Sequence, residues 1–167
     1  RTYYLKDLFD TPALSGLVHA HGIVMTAWLA LFFVQARLIA ARRVELHRRL
    51  GVVGGLLAVL VVVVGTATSI ESARHGLSPG LPPLVFLAIP LGVVVVFAVL
   101  VGAALLLRRR ADYHKRLMAL ASISILTPAI ARIPVDALQA AGPPLFFGLT
   151  DLIVLACVKT VTPASKR

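Results

Sequence analysis

Residues Leu84 to Leu107 run for twenty-four positions without one charged side chain. A helix rises about 1.5 Å per residue, so a run of this length matches the roughly 30 Å hydrocarbon core of a bilayer. A water-soluble fold would have to bury every face of it, because the run has no polar side to turn to water. Leu50–Ile70 and Leu17–Ala36 are equally free of charge. The whole chain of 167 residues is 59% hydrophobic and 14% charged, where soluble domains carry roughly 45–50% and about a quarter. Disorder is excluded by the same composition. The single Cys157 excludes an intrachain disulfide framework and any multi-cysteine metal cluster. A net charge of +10 would suit nucleic acid if it formed a patch on a soluble face. Here the cations sit in short clusters between apolar runs, so the expected surface is lipid and no nucleic-acid partner is expected.

The expected fold is all-α, a transmembrane helical bundle with five spans. They are Leu17–Ala36, Leu50–Ile70, Leu84–Leu107, Leu117–Val135 and Pro143–Val161. Arg132, Asp136 and Asp151 interrupt or border the last two. The chain reads as one domain: an outer-face segment 1–16, a first hairpin 17–73, a second hairpin 84–136 and a fifth span 143–161. Gly76, Pro79, Gly80, Pro82 and Pro83 break the chain before the third span, and Gly142, Pro143 and Pro144 before the fifth. Pro90 and Pro128 lie inside spans and predict kinks.

Charge orients the bundle. Arg37, Arg42, Arg43, Arg48 and Arg49 lie between spans one and two. Arg108, Arg109, Arg110, Lys115 and Arg116 lie between spans three and four, and Lys159, Lys166 and Arg167 follow span five. All of these fall on one side of alternating helices. The positive-inside rule makes that side the cytoplasm of a bacterial inner membrane, with the C-terminus inside and residue 1 outside. The chain opens on Arg1, and an upstream helix would bring the count to six.

The two basic loops match. Arg43–Leu50 reads R-V-E-L-H-R-R-L and Arg110–Leu117 reads R-A-D-Y-H-K-R-L, at an offset of 67 residues. Each joins an inward helix to an outward one, so the two hairpins are expected to be parallel repeats, with the fifth helix added. His47 and His114 then begin their helices at the same depth. Two neutral imidazoles on neighbouring helices could hold a b-type haem from both sides, with arginines for its propionates. The plainer reading is interfacial histidines among cations that reach for anionic headgroups.

His21, Trp28 and Gln35 are seven apart and share one stripe of the first span. It is expected to pack on another helix with Gln35 hydrogen-bonded across, or to line a ligand. Neighbouring His19 lies off that face. Ser124, Pro128, Arg132 and Asp136 form a stripe of span four, and Asp151 lies at a depth where it could pair with Arg132. The structural expectation is an Arg132–Asp151 ion pair with Asp136 beside it. The alternative adds His19, His21 or Glu71 to make a proton or metal site. Gly51 and Gly55, continued by Ala58, Gly65 and Ser69, form a small-residue stripe for close helix packing. No catalytic motif is found: no H-E-x-x-H, glycine-rich phosphate loop, G-x-S-x-G or zinc spacing.

The H-R-R-L-G of His47–Gly51, the H-K-R-L-M of His114–Met118 and the W-x-x-x-F-F-V-Q of Trp28–Gln35 together resemble uncharacterised bacterial multi-pass membrane proteins. Those begin helices with H-R-x-L-G or H-R-x-x-M, and the likeness runs from His19 to Arg132. A looser likeness is to ascorbate-type transmembrane b cytochromes, which implies paired haem-ligating histidines on a helical bundle. The reading is a non-enzymatic accessory or assembly subunit of a larger, bioenergetic inner-membrane complex. A haem-binding electron-transfer protein is the alternative, and a small transporter the third.

Overall fold

The first of the long helices is started by Ser15. Its hydroxyl accepts from the Val18 amide at 3.4 Å and its extended backbone (φ −64°, ψ 155°) turns the chain into the helix. In this computed structural model, which describes residues 15–75, 82–126, 145, 148 and 150–152, the described residues form four bounded helices and no strand, and 145, 148 and 150–152 are helical as well. They are α1 (Gly16–Ala40), α2 (Val44–Arg74), α3 (Pro83–Leu106) and α4 (Ala111–Ser124). By length and composition, α1, α2 and α3 from Leu84 onward are each long and apolar enough to cross a membrane.

A three-residue turn joins α1 to α2. The Arg42 amide bonds the Ile39 carbonyl at 3.0 Å and the Arg43 amide bonds Leu38 at 2.8 Å. This crossed pair is the Schellman ending of a helix, which needs a left-handed residue at its second-last position. Arg42 supplies it with φ 56°. The chain then re-enters a helix at once, so α2 begins at Val44, six residues ahead of the apolar run expected from Leu50. The basic octet is therefore the first two turns of a 31-residue helix. Glu45 in its first turn suits the positive end of the helix dipole and bonds Arg49 at 3.2 Å.

The chain divides into two compact units within α3, after Val95. In the first, α1 and α2 pack side by side and antiparallel. Gly22 and Trp28 are buried from α1, and Ala58, Val61, Gly65, Thr68 and Ser69 from one face of α2. Thr68 and Ser69 are admitted to that face because their hydroxyls bond back to the Val64 and Gly65 carbonyls at 2.8 and 2.7 Å. Gly65 is where the crowding is tightest. A Cβ there would lie 3.2 Å from Cγ2 of Val94 and 3.7 Å from Cε of Met25. At Gly51 and Gly55 a Cβ would meet nothing within 4 Å, whereas at Gly54 it would meet Leu31 at 3.6 Å. Within this unit, close packing uses only the deep half of the small-residue stripe: Ala58, Gly65 and Ser69.

In the second unit Phe97, Val101 and Ala104, on one face of α3, are buried, as are Ala121, Ser122 and Ile123 of α4. Pro83 opens α3 at the first helical position, where its missing N–H costs nothing. The helix runs unbroken through Pro90. The described helix α4 ends at Ser124, and the part of the expected span from 127 to Val135 lies outside the described residues. After Ser124 the Leu126 amide bonds the Ile123 carbonyl at 2.9 Å in a tight turn.

Candidate functional site

The polar chemistry of the described chain gathers where each octet starts its helix. Arg43 and Arg110 are the N-caps of α2 and α4, and neither caps with its side chain. The His47 and His114 amides bond the carbonyls of those caps at 3.1 and 3.0 Å, so both histidines stand at the same helical position. The cations of both octets, with Arg37, Arg42, Arg108 and Arg109, are exposed. Each octet has one carboxylate, and a neighbouring cation takes it up: Glu45 by Arg49 at 3.2 Å, Asp112 by Lys115 at 2.7 Å. That hydrogen bond and the Lys115 charge hold the Asp112 carboxyl below its usual range, with Arg116 adding a smaller pull. What remains on each turn is net positive. Arg43, Glu45, Leu46 and Arg49 line an open hollow of about 400 Å³ at the head of α2.

The two rings differ in what they touch. Gln35 reaches across from α1 and seats its carboxamide on one hydrogen-bond rung of α2. With the carboxamide oriented by its neighbours, its nitrogen lies 2.7 Å from Nδ1 of His47 and 3.3 Å from the His47 carbonyl, and its oxygen lies 3.0 Å from the Gly51 amide. Turned over, the amide would set oxygen against carbonyl and N–H against N–H, so this orientation is the one that satisfies both ends. Nδ1 of His47 thus faces the amide N–H and can accept from it. At His114 the reverse holds. Its Nδ1 lies 2.8 Å from the Ala104 carbonyl, an acceptor, so Nδ1 carries the proton and donates it to the last turn of α3. The position matching Gln35 at the 67-residue offset is Gly102, which has no amide side chain to send across.

An axial haem ligand gives the iron a bare ring nitrogen and usually donates its other N–H to a protein acceptor. His114 has the second of these features. At His47 the Gln35 amide occupies the Nδ1 side of the ring, so that nitrogen is not open to an iron. No step through a haem is drawn from this pair.

The remaining candidates are placed as follows. His21 is half-buried with its Nδ1 sealed from solvent; Trp28 is buried, and both lie with Gln35 on one stripe of α1. His19 is exposed and its Nδ1 lies 3.1 Å from the Ser15 carbonyl, so its ring serves its own helix start. Glu71 bonds His75 at 3.2 Å. Among the described residues no three His, Cys, Asp or Glu side chains come together as a metal site. Asp151 is exposed; Arg132, Asp136 and Pro128 lie outside the described residues, and with them the expected ion pair. Sequence reasoning named Gln35 and His47 separately and missed that they meet. The signal was there: Gln35 lies six residues before the first residue of the short turn, Ala41, and His47 four after its last, Arg43, which brings them near each other in an antiparallel hairpin. No protein-family model, curated protein or solved structure matches the chain.

Proposed function

We propose that the chain is a multi-pass protein of a bacterial inner membrane that performs no reaction itself and packs as an accessory or assembly subunit within a larger complex. The observation that carries this is the outward face of its long helices. On α2 alone Val52, Val53, Leu56, Val59, Leu60 and Val63 are exposed, and on α3 Leu84 and Leu106 are 81% and 86% exposed. Leaving one such side chain in water forgoes about 1.5–3 kcal/mol. Six on one helix therefore forgo on the order of 10 kcal/mol, as much as the whole stability of an ordinary domain. Hydrocarbon or a neighbouring subunit removes that cost. The open surface at Gly51 and Gly55 suits a close helix partner, and the net-positive turns suit anionic lipid headgroups on the cytoplasmic side. The reading includes five spans from the apolar runs, parallel hairpin repeats from the matched octets, and an inside C-terminus with residue 1 outside from the distribution of cations.

Electron transfer through haem has less support, because of the Gln35 amide on His47. The test is extraction in mild detergent from the native membrane, followed by size analysis and an absorption spectrum. A colourless preparation that stays in one stoichiometric complex, well above 17.8 kDa, is the expected result. A Soret band, or a lone chain active in transport when reconstituted, would replace this reading. Topology is tested by cysteines at Arg42, Arg109 and Ser78. The first two should react with impermeant thiol reagents only from the cytoplasm and the third only from outside.

A further inference from the structure

The first basic turn carries its charge beside apolar surface. Arg37, Arg42, Arg43, Arg48 and Arg49 are all exposed, with Glu45 the one carboxylate among them. Three apolar side chains of the same stretch are exposed with them: Ile39, Val44 and Leu46. The open hollow of about 400 Å³ joins both kinds of surface, since Arg43, Glu45, Leu46 and Arg49 line it. Arg43, Leu46 and Arg49 follow one another at three-residue steps, the spacing of neighbours on a helix surface. Arg49 gives Glu45 its Nε–H at 3.2 Å, and its two terminal amino groups remain for an anion. Among the described residues Arg43 forms no ion pair. A guanidinium presents its donors in a planar fork that matches the oxygens of a phosphate. The hollow therefore offers two forks with an apolar side chain between them.

We infer that this hollow binds one anionic phospholipid, with the phosphodiester held by Arg43 and Arg49 and the glycerol and upper acyl chain against Leu46. Location and charge select that occupant. The turn joins two helices that are each long and apolar enough to cross a membrane, so the hollow lies where headgroups begin. A soluble phosphate would satisfy the forks and leave Leu46 in water. A zwitterionic lipid brings the same phosphate with an ammonium group, which the surrounding arginines repel. Arg37, Arg42 and Arg48 raise the local concentration of anions without lining the hollow. Glu45 opposes an anion, and its bond to Arg49 offsets part of that repulsion. The inference rests on the membrane reading proposed above and narrows a general attraction for headgroups to one lipid at one place. It holds whether or not the chain is a complex subunit.

The experiment uses the full chain, reconstituted from non-ionic detergent into vesicles of phosphatidylcholine alone or mixed with phosphatidylglycerol. Flotation with the vesicles reads insertion, and native mass spectrometry reads the lipid that stays bound. The unaltered chain should float with both and retain one phosphatidylglycerol in preference to phosphatidylcholine. A cation at the membrane surface is worth about fivefold in binding an anionic lipid. Arg43→Gln combined with Arg49→Gln should therefore weaken phosphatidylglycerol binding by about tenfold or more. Arg108→Gln combined with Arg109→Gln removes the same charge outside the hollow and should weaken it by about twofold at most, as a screened distant pair. Glu45→Gln should tighten binding. If the Arg43 and Arg49 double variant loses its helices, Arg43→Lys with Arg49→Lys replaces it: charge is kept, the forks are lost, and binding should still fall severalfold. Equal losses from the two arginine pairs, or equal retention of the two lipids, would overturn the site and leave only diffuse attraction. Uptake of inorganic phosphate that displaces the lipid would give the hollow to a soluble anion and overturn it too. A chain that floats with neither vesicle would instead overturn the membrane reading, and this site with it.

Discussion

The amide of Arg43 bonds the carbonyl of Leu38 at 2.8 Å, and this closure depends on the left-handed backbone of the residue between them and the end of α1, Arg42 at φ 56°. A left-handed conformation costs a residue with a Cβ about 1–2 kcal/mol, and glycine is spared it. Arg42→Gly should therefore stabilise the first hairpin by about 1 kcal/mol, even though it removes a charge. Equilibrium unfolding in detergent measures it. Unchanged or reduced stability would mean that the Arg42 side chain holds something across the turn.

Glycines of one stripe should respond in opposite directions. Gly65→Ala puts a Cβ 3.2 Å from Cγ2 of Val94, and a β-branched valine has little freedom to step aside. A net loss of about 1 kcal/mol is expected after the gain in helix propensity. Gly51→Ala and Gly55→Ala meet nothing within 4 Å and should stabilise the isolated chain by about 0.5–1 kcal/mol. If Gly51 and Gly55 face a partner helix, the same two changes should weaken the complex while strengthening the chain. Equal effects at Gly65 and Gly55 would count against the packing described.

His114 ties the end of α3 to the start of α4 through the buried Ala104. His114→Ala removes that donor and should cost about 1–2 kcal/mol in unfolding experiments. His114→Asn, whose amide can also donate, should recover part of the loss. A loss no larger than that of an exposed substitution such as Tyr113→Ala would show that the bond contributes nothing.

The Asp112 carboxyl is lowered in the folded chain by its bond to Lys115. A lowered folded value means the contribution is present above the ordinary carboxylate range and is lost as pH falls through the lowered one. Lys115→Met should bring the Asp112 midpoint back up toward 3.8, read by carboxyl NMR. The pair is exposed, so added salt should produce much of the same rise. An identical midpoint in both chains would dispose of the pairing.

The apolar runs that form α1, α2 and α3 were legible in the sequence, although α1 runs on to Ala40 where the apolar run was expected to end at Ala36. They follow from one local rule: an apolar run must satisfy its own backbone, and a helix does so. The early start of α2 at Val44 was not, because a charged octet reads as a loop until a Schellman turn and the Glu45–Arg49 pair make it helical. Nor did the small-residue stripe say which of its members meets a neighbour. Gly65 does and Gly55 does not within the first unit, since that depends on where Val94 and Met25 come to lie. The sharpest division falls on the matched histidines. His47 and His114 occupy the same place in the same motif, and nothing local distinguishes them. What each ring's Nδ1 meets is decided by what arrives from the preceding helix: the Gln35 amide in one hairpin, the Ala104 carbonyl in the other. A hydrogen bond across a turn is a fact of three-dimensional placement, and only the tertiary structure supplies it.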